Sequence, residues 1–288
     1  MKHLISIDQY NYQTLHTLFE NVSKEKYGYY SESNYSKKSQ IATLFYEPST
    51  RTSASFHSAA TQLGYSVLPI NEVIYSSITK GETLEDTIRT IGSYVDLIVL
   101  RHAEKGASKR AASISQVPII NAGDGIGEHP TQTLLDLYTI WKEKNTIDGL
   151  NITLIGDLKN GRTIHSLIKV LRLFNVHITL ISPPSLKLPN EYLKSSDCES
   201  TDFLPYASTT DVLYITRIQK ERGSIEEYKL SLSELNNLPK TAIVLHPLPR
   251  GNELPIAFDS DPRAKYFKQI KNGLLLRKTL LRQFLENN

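Results

Sequence analysis

Cysteine is almost absent from this chain of 288 residues, Cys198 being the only one. An intrachain disulfide is therefore impossible, and a thiolate metal cluster is excluded. Cys198 lies in the polar stretch KSSDCES, the setting of a bystander thiol rather than of an activated nucleophile. Long apolar runs are also missing; none approaches the roughly 18 to 20 residues that a membrane helix needs. The opening MKHLISIDQYNYQTL lacks the unbroken apolar core of a signal peptide and the Arg-rich character of a transit peptide, so a cytoplasmic protein is the expectation. The chain has no H-E-x-x-H, no cysteine pair at metal spacing and no G-x-x-x-x-G-K-[ST] loop. Zinc hydrolysis and nucleoside triphosphate binding thus have no support, and neither metal nor cofactor is expected. Gly123, Gly125 and Gly127 lack the G-x-G-x-x-G spacing, which sets a nicotinamide cofactor aside. A net charge of +3 spread along the chain gives no nucleic-acid footprint, although a local anion site stays open.

What is present is the composition of a folded enzyme, with 40% apolar and 22% charged residues. The length exceeds the usual single domain of roughly 100 to 200 residues, so two domains are expected. Leu15, Leu18, Phe19 and Val22 recur at helical spacing and predict a first amphipathic helix. IATLFY (41–46), a helix from STRTSASF to Gly64, and SVLPI (66–70) then read as a β-α-β unit. Leu84, Ile88, Ile91 and Val95 give a further helix, and VDLIVL (95–100) and QVPIINAG (116–123) give further strands. A helix follows His129, with Leu134, Leu137, Tyr138 and Trp141 on one face, and runs into a polar break near 145–151. NITLIGD (151–157), a helix phased by Ile164, Leu167, Ile168, Leu171 and Phe174, and NVHITLIS (175–182) repeat the β-α-β pattern. DVLYIT (211–216) and AIVLHP (242–247) add strands before a Leu-rich last helix. The expected fold class is α/β, with two domains at 1–145 and 146–273, each a parallel sheet flanked by helices, and a last helix from about 274 to 288.

In such sheets ligands sit beyond the carboxyl ends of the strands, so polar residues just after predicted strands are the candidates. Ser49, Thr50, Arg51 and Thr52 follow a strand and open a helix, where backbone N–H groups, hydroxyls and the helix dipole can converge on an anion. Arg51 adds a guanidinium suited to phosphate oxygens. The plainer reading makes Ser49 a helix cap and Arg51 a surface charge. Arg101 follows VDLIVL, and His129 and Gln132 open the helix after the GDGIGE loop. Arg162 and Arg217 each follow a strand in the second half, one cation for each carboxylate of a dicarboxylate substrate; structural pairing with Asp157 or Glu221 is the alternative. His246, Pro247, Leu248, Pro249 and Arg250 also end a strand, where prolines remove N–H donors and leave carbonyls to accept from an amide. Lys80, in SSITKGE, reads alone as a solvated lysine.

FYEPSTRTSASF, KGETLEDTI, VLRH, NAGDG with HPTQTLLDLYTI, GDLKNGRTIHSL, YITRIQKER and HPLPR stand in order along the chain. This series resembles the aspartate carbamoyltransferase catalytic chains, of the aspartate/ornithine carbamoyltransferase superfamily, from about residue 40 to the C-terminus. The ornithine branch shares S-T-R-T and H-P-x-Q but carries an H-C-L-P loop where this chain has HPLPR. The resemblance implies carbamoyl transfer from carbamoyl phosphate to L-aspartate, with 1–145 binding carbamoyl phosphate and 146–273 binding L-aspartate, and the last helix packing back on the first domain. It implies that Ser49, Thr50, Arg51 and Thr52 hold phosphate, and that Thr52, Arg101 and His129 surround the carbonyl oxygen. Gln132 and the Pro247 and Leu248 carbonyls would receive the carbamoyl NH₂, with a cis Leu248–Pro249 bond. Arg162, Arg217 and Gln219 would hold aspartate. Ser76 and Lys80 would reach a neighbouring subunit's site, which implies a homotrimer; a regulatory chain or a dihydroorotase is a possible further partner. Two departures stand out: Thr79 replaces a second lysine found in some relatives, and the segment from Gln219 to His246 is several residues shorter than in the enteric bacterial type, which bears on homotropic regulation.

Overall fold

The computed structural model describes residues 1–28, 39–70, 81–218 and 228–286, which form two compact units: Met1–Leu134 with Asn272–Asn288, and Leu135–Lys271. The first unit begins with α1 (Tyr12–Lys24), whose Asn11 and Thr14 form a capping box and whose Leu15, Leu18, Phe19 and Val22 are buried. β1 (Gln40–Phe45), α2 (Thr50–Gln62), β2 (Ser66–Ile70), α3 (Leu84–Gly92), β3 (Leu97–His102), α4 (Ala107–Ile114) and β4 (Ile119–Asp124) follow. The four strands are parallel, in the order β2-β1-β3-β4. β1, β3 and β4 are buried nearly throughout, which is why β1 and β3 read as largely apolar runs rather than alternating ones. β2 is the edge strand and carries Pro69, tolerated there because the outer side needs no ladder donor. Before α1, Leu4 bridges to Ile120 and extends this sheet by one residue pair.

α5 (Pro130–Lys144) starts in the first unit and ends in the second. The units divide at Leu134/Leu135, within α5, the helix at which the sequence reading places the boundary, although that reading sets the first domain's end just past its last turn, at residue 145. The physical reason is that the later turns of α5 bond within the second unit. Asp136 accepts from Tyr214 Oη at 2.7 Å, Lys144 pairs with Asp211 at 3.2 Å, and Glu143 pairs with Lys265 at 3.1 Å.

The second unit continues with β5 (Asn151–Ile155), α6 (Arg162–Leu171), β6 (His177–Ile181), β7 (Cys198–Ser200), α7 (Leu204–Ala207), β8 (Val212–Ile215), α8 (Leu232–Leu235) and β9 (Ile243–Leu245). Its five strands are parallel, in the order β7-β6-β5-β8-β9. Ile155, Phe203, Leu213, Ile215, Leu235, Val244 and Phe258 form the core on one face, each side chain contributing about 1.5–3 kcal/mol by full burial. α9 (Tyr266–Leu285) starts in this unit and returns the chain to the first, burying Leu275, Leu276, Leu280, Leu281 and Phe284. Both units are therefore parallel sheets flanked by helices.

Candidate functional site

In each sheet the chain leaves its first strand in one direction and returns on the other side. The reversal falls between β1 and β3 in the first unit and between β5 and β8 in the second. Strand ends at such reversals leave a crevice that neighbouring crossovers do not fill. Ser49 to Thr52 and Arg101 stand at the first reversal and Arg162 and Arg217 at the second, whereas His129 and Gln132 follow β4 and Pro247 to Pro249 follow β9, each one strand further out.

In the first unit, β1 and β3 run in register to the pair Phe45 and Arg101, and Tyr46 N–H donates to the Arg101 carbonyl at 2.8 Å. α2 opens five residues after β1 ends, with Ser49 at the N-cap position but with no capping hydrogen bond from its side chain. α1 and α3, by contrast, are capped by Asn11 and Thr83. Ser49 therefore does not cap α2 through its side chain, which argues against the reading of Ser49 as a mere cap, and a helix start is a place where backbone N–H groups favour an anion. Thr52 is buried and Arg51 is exposed. Arg101 Nη2 lies 3.3 Å from Glu47 Oε2, and Nη1 donates to the Ala122 carbonyl at 3.2 Å. Burial lowers the Arg101 pKa, Glu47 opposes that shift, and the like charge of Arg51 adds to it. Two guanidiniums thus repel across the reversal, a repulsion that a bound dianion would relieve.

His129 is buried just before α5 and its carbonyl accepts from the N–H groups of Gln132 and Thr133. Thr131 Oγ1 lies 3.3 Å from His129 Nδ1; with the hydroxyl donating, the ring carries its proton on Nε2, the form that can donate to a developing oxyanion. The preceding loop is held by Asp124, which accepts from Gly106 N and Glu128 N, and by Glu128, which accepts from Ile7 N at 2.8 Å. A groove of about 710 Å³, lined by Glu47, Ser49, Thr50, Ser53 and His57 among others, runs along the start of α2.

In the second unit, Arg162 is the first residue of α6 and Arg217 follows β8, the neighbour of β5. The exits of these two strands are clasped: Thr216 N–H donates to the Ile155 carbonyl at 2.8 Å, and Gly156, at φ +119°, has room for no Cβ, which would fall 2.2 Å from the Thr216 carbonyl oxygen. The Asp157 carboxylate accepts from Asn160 N at 2.9 Å and also from its side-chain amide. α6, like α2, begins without a side-chain cap, its N-cap being Gly161. Pro247, Leu248 and Pro249 follow β9, which pairs with β8, and the Leu248–Pro249 peptide is cis. Arg162, Arg217 and the Pro-Leu-Pro turn therefore share one sheet edge. Ser76, Lys80 and Gln219 lie outside the described residues.

Sequence reasoning did not single out Glu47, although the residue stands in the same FYEPSTRT stretch; its role as the partner of Arg101 depends on β1–β3 pairing, which no local pattern reveals. It likewise missed the partners of His246: Glu253, Gln269 and, beyond them, Asp136. Among the described residues, no helix is long and apolar enough to cross a membrane, and no group of three His, Cys, Asp or Glu side chains is arranged to hold a metal ion.

Residues 2–142 match the family description "Aspartate/ornithine carbamoyltransferase, carbamoyl-P binding domain", and residues 148–284 match "Aspartate/ornithine carbamoyltransferase, Asp/Orn binding domain". The aspartate carbamoyltransferase catalytic subunit of Thermoplasma acidophilum is 49% identical over 258 residues, covering 85% of each chain. The multifunctional protein pyr1-3 of Dictyostelium discoideum is 46% identical over 97% of this chain, which spans only 13% of that protein's length. Among solved structures, the catalytic subunit of M. jannaschii aspartate transcarbamoylase superposes with a TM-score of 0.92 at 41% identity, covering 100% of this chain and 99% of the other.

Proposed function

The chain belongs to the aspartate/ornithine carbamoyltransferase family, and we propose that it transfers the carbamoyl group of carbamoyl phosphate to the amino group of L-aspartate, giving N-carbamoyl-L-aspartate and phosphate, an early step of pyrimidine synthesis. The observation that carries this reading is the pairing of two sheet reversals with two kinds of cationic edge. One has an uncapped helix start beside two guanidiniums; the other has two arginines that follow neighbouring strands, Arg162 at the start of α6 after β5 and Arg217 just after β8.

Ser49, Thr50, Arg51 and Thr52 hold the phosphate through the first turn of α2. Thr52, Arg101 and His129 donate to the carbonyl oxygen as it gains negative charge in the tetrahedral transition state; a donor of this kind is typically worth about 3–4 kcal/mol. Gln132 and the carbonyls of Pro247 and Leu248 receive the carbamoyl NH₂. Arg162, Arg217 and Gln219 grip the two carboxylates of aspartate and fix its amine for attack. The departing phosphate takes the amine proton, so neither a covalent intermediate nor a dedicated base is required. Aspartate is favoured over ornithine because cationic side chains suit a dicarboxylate and because HPLPR stands in place of a Cys-containing loop.

The active assembly is a homotrimer in the cytoplasm, in which Ser76 and Lys80 of one copy serve the site of the next; a regulatory chain or a dihydroorotase is a candidate partner of the trimer. A colorimetric assay for carbamoyl aspartate tests the activity, with carbamoyl phosphate and either L-aspartate or ornithine supplied. Product with aspartate is expected. Arg51→Ala should abolish turnover, whereas Arg217→Ala should chiefly raise the aspartate KM. Product with ornithine alone, or an Arg217→Ala enzyme that loses only carbamoyl phosphate affinity, would contradict the assignment.

A further inference from the structure

The chain leaves β9 through the turn from His246 to Arg250, and the turn is closed by one imidazole whose two nitrogens do different work. Leu248 has φ +50°, a left-handed backbone region that a leucine occupies only where its surroundings hold it. Its N–H donates to His246 Nδ1 at 2.8 Å. A nitrogen that accepts carries no proton, so the ring proton is on Nε2, which donates to Glu253 Oε1 at 2.8 Å. The same carboxylate oxygen accepts from Gly251 N at 2.7 Å. The imidazole and the carboxylate thus secure the chain on both sides of the Leu248–Pro249 bond.

The ring is itself held from behind. His246 N–H donates to Gln269 Oε1 at 3.1 Å, which turns the other end of that amide toward Asp136, where Nε2 donates to Oδ1 at 2.5 Å. Asp136 Oδ2 accepts from Tyr214 Oη at 2.7 Å. This connected series draws on α5, β8, β9 and α9, and His246, Gln269, Asp136 and Tyr214 are at most 1% exposed. A buried polar chain of this kind rigidifies what it touches because every broken link strands a desolvated group. What it touches at its open end is the Pro-Leu-Pro turn.

We propose that His246 is a positioning residue for carbamoyl transfer: through Leu248 N–H it aims the Pro247 and Leu248 carbonyls at the carbamoyl NH₂, while Glu253 and Gln269 hold its ring and main chain. The proposal rests on the reading that these two carbonyls receive the carbamoyl group. It requires neutral His246 with an acceptor at the Nδ1 position, and it separates the carbamoyl part of the substrate from the phosphate part, which the start of α2 holds.

Two variants divide the ring between them. In His246→Asn, the side-chain oxygen can stand near the Nδ1 position and keep the bond from Leu248. In His246→Gln, the amide can reach Glu253 but leaves Leu248 N–H without its acceptor. The expected result is that His246→Gln lowers kcat/KM for carbamoyl phosphate by at least about tenfold, the loss of a buried hydrogen bond, while the inhibition constant of inorganic phosphate stays within about twofold. His246→Asn should retain the larger part of the activity. If His246→Gln does not fold at the assay temperature, Glu253→Gln is read in the same way, with a smaller selective loss expected. Equal weakening of carbamoyl phosphate and inorganic phosphate, or equal activity of the Asn and Gln variants, would overturn the positioning role while leaving the activity intact. An unaltered protein that forms no carbamoyl aspartate would instead overturn the reading on which the proposal rests.

Discussion

Asp211 shows how much one side chain at the start of a strand can tie together. Its carboxylate accepts from Asn151 N at 3.0 Å, from Asn151 Nδ2 at 3.2 Å and from Lys144 Nζ at 3.2 Å, joining the start of β8 to the start of β5 and the end of α5. Burial pushes its pKa up, but the bonds from Asn151 and the Lys144 charge outweigh burial and hold it below the ordinary 3.8. A carboxyl with a depressed folded-state pKa favours folding above its unfolded value, and that contribution is lost as the pH falls through the folded value. Asp211→Asn should therefore lower stability by roughly 1 kcal/mol at neutral pH, less than a fully buried charged bond because the side chain is partly exposed. Urea unfolding at pH 7 and again in acid below the folded-state value, which lies under 3.8, checks this, with the gap between variant and parent expected to close there. A gap that persists at low pH would mean that shape rather than charge is what Asn fails to reproduce. Asp211 does not announce itself in the sequence because its partners Asn151 and Lys144 lie 60 and 67 positions away, and the link from His246 to Gln269 is hidden in the same way by a separation of 23.

At the scale of elements, what was legible followed from burial. β1, β3, β5 and β8 are covered on both faces and so appear as apolar runs, and α1 and α6 bury the residues whose spacing predicted them. β7 was not legible, because CES is a three-residue polar edge strand with no buried face. α4 was missed for a related reason: ASKRAASI buries only Ala107, Ser108 and Ala111, too little apolar surface to set a period. α9 starts at Tyr266 rather than near 274 because its early turns bury Tyr266 and Gln269 rather than leucines. An anion site at the start of α2 was one of two readings of the sequence, and what bears on the choice between cap and cradle is the absent side-chain hydrogen bond at Ser49. That distinction yields a paired prediction. Ser49→Ala should leave the melting temperature nearly unchanged and raise the carbamoyl phosphate KM severalfold. Asn11→Ala, which removes a true cap from α1, should cost about 1 kcal/mol and leave the kinetics alone. The reverse pattern, with stability lost at Ser49 and kinetics intact, would return Ser49 to the status of an ordinary cap.

For the whole molecule, the consequential fact is that the last residues of the chain belong to the unit that the first residues build. Lys278, on α9, has a side chain inaccessible to solvent, and its ammonium donates to the carbonyls of Lys26 at 2.6 Å and Gly28 at 3.2 Å just beyond the end of α1. It also lies 3.5 Å from Glu25, a buried carboxylate that it shares with Arg282. A buried cation is retained only where acceptors surround it, and here both the charge and the donors are matched by groups some 250 positions earlier. Removing one partner strands the rest, so Lys278→Met should destabilise the protein by about 3 kcal/mol or more, with two carbonyls and part of a carboxylate left unsatisfied. Replacing Glu25 by Gln in the same chain should recover part of that loss, because the buried carboxylate left with Arg282 as its remaining cation goes with it. Thermal unfolding of the single and double variants gives the coupling directly. Additive losses would mean that Lys278 is held by the two carbonyls alone, whereas the predicted recovery makes the pair a clasp by which the C-terminal helix completes the first unit.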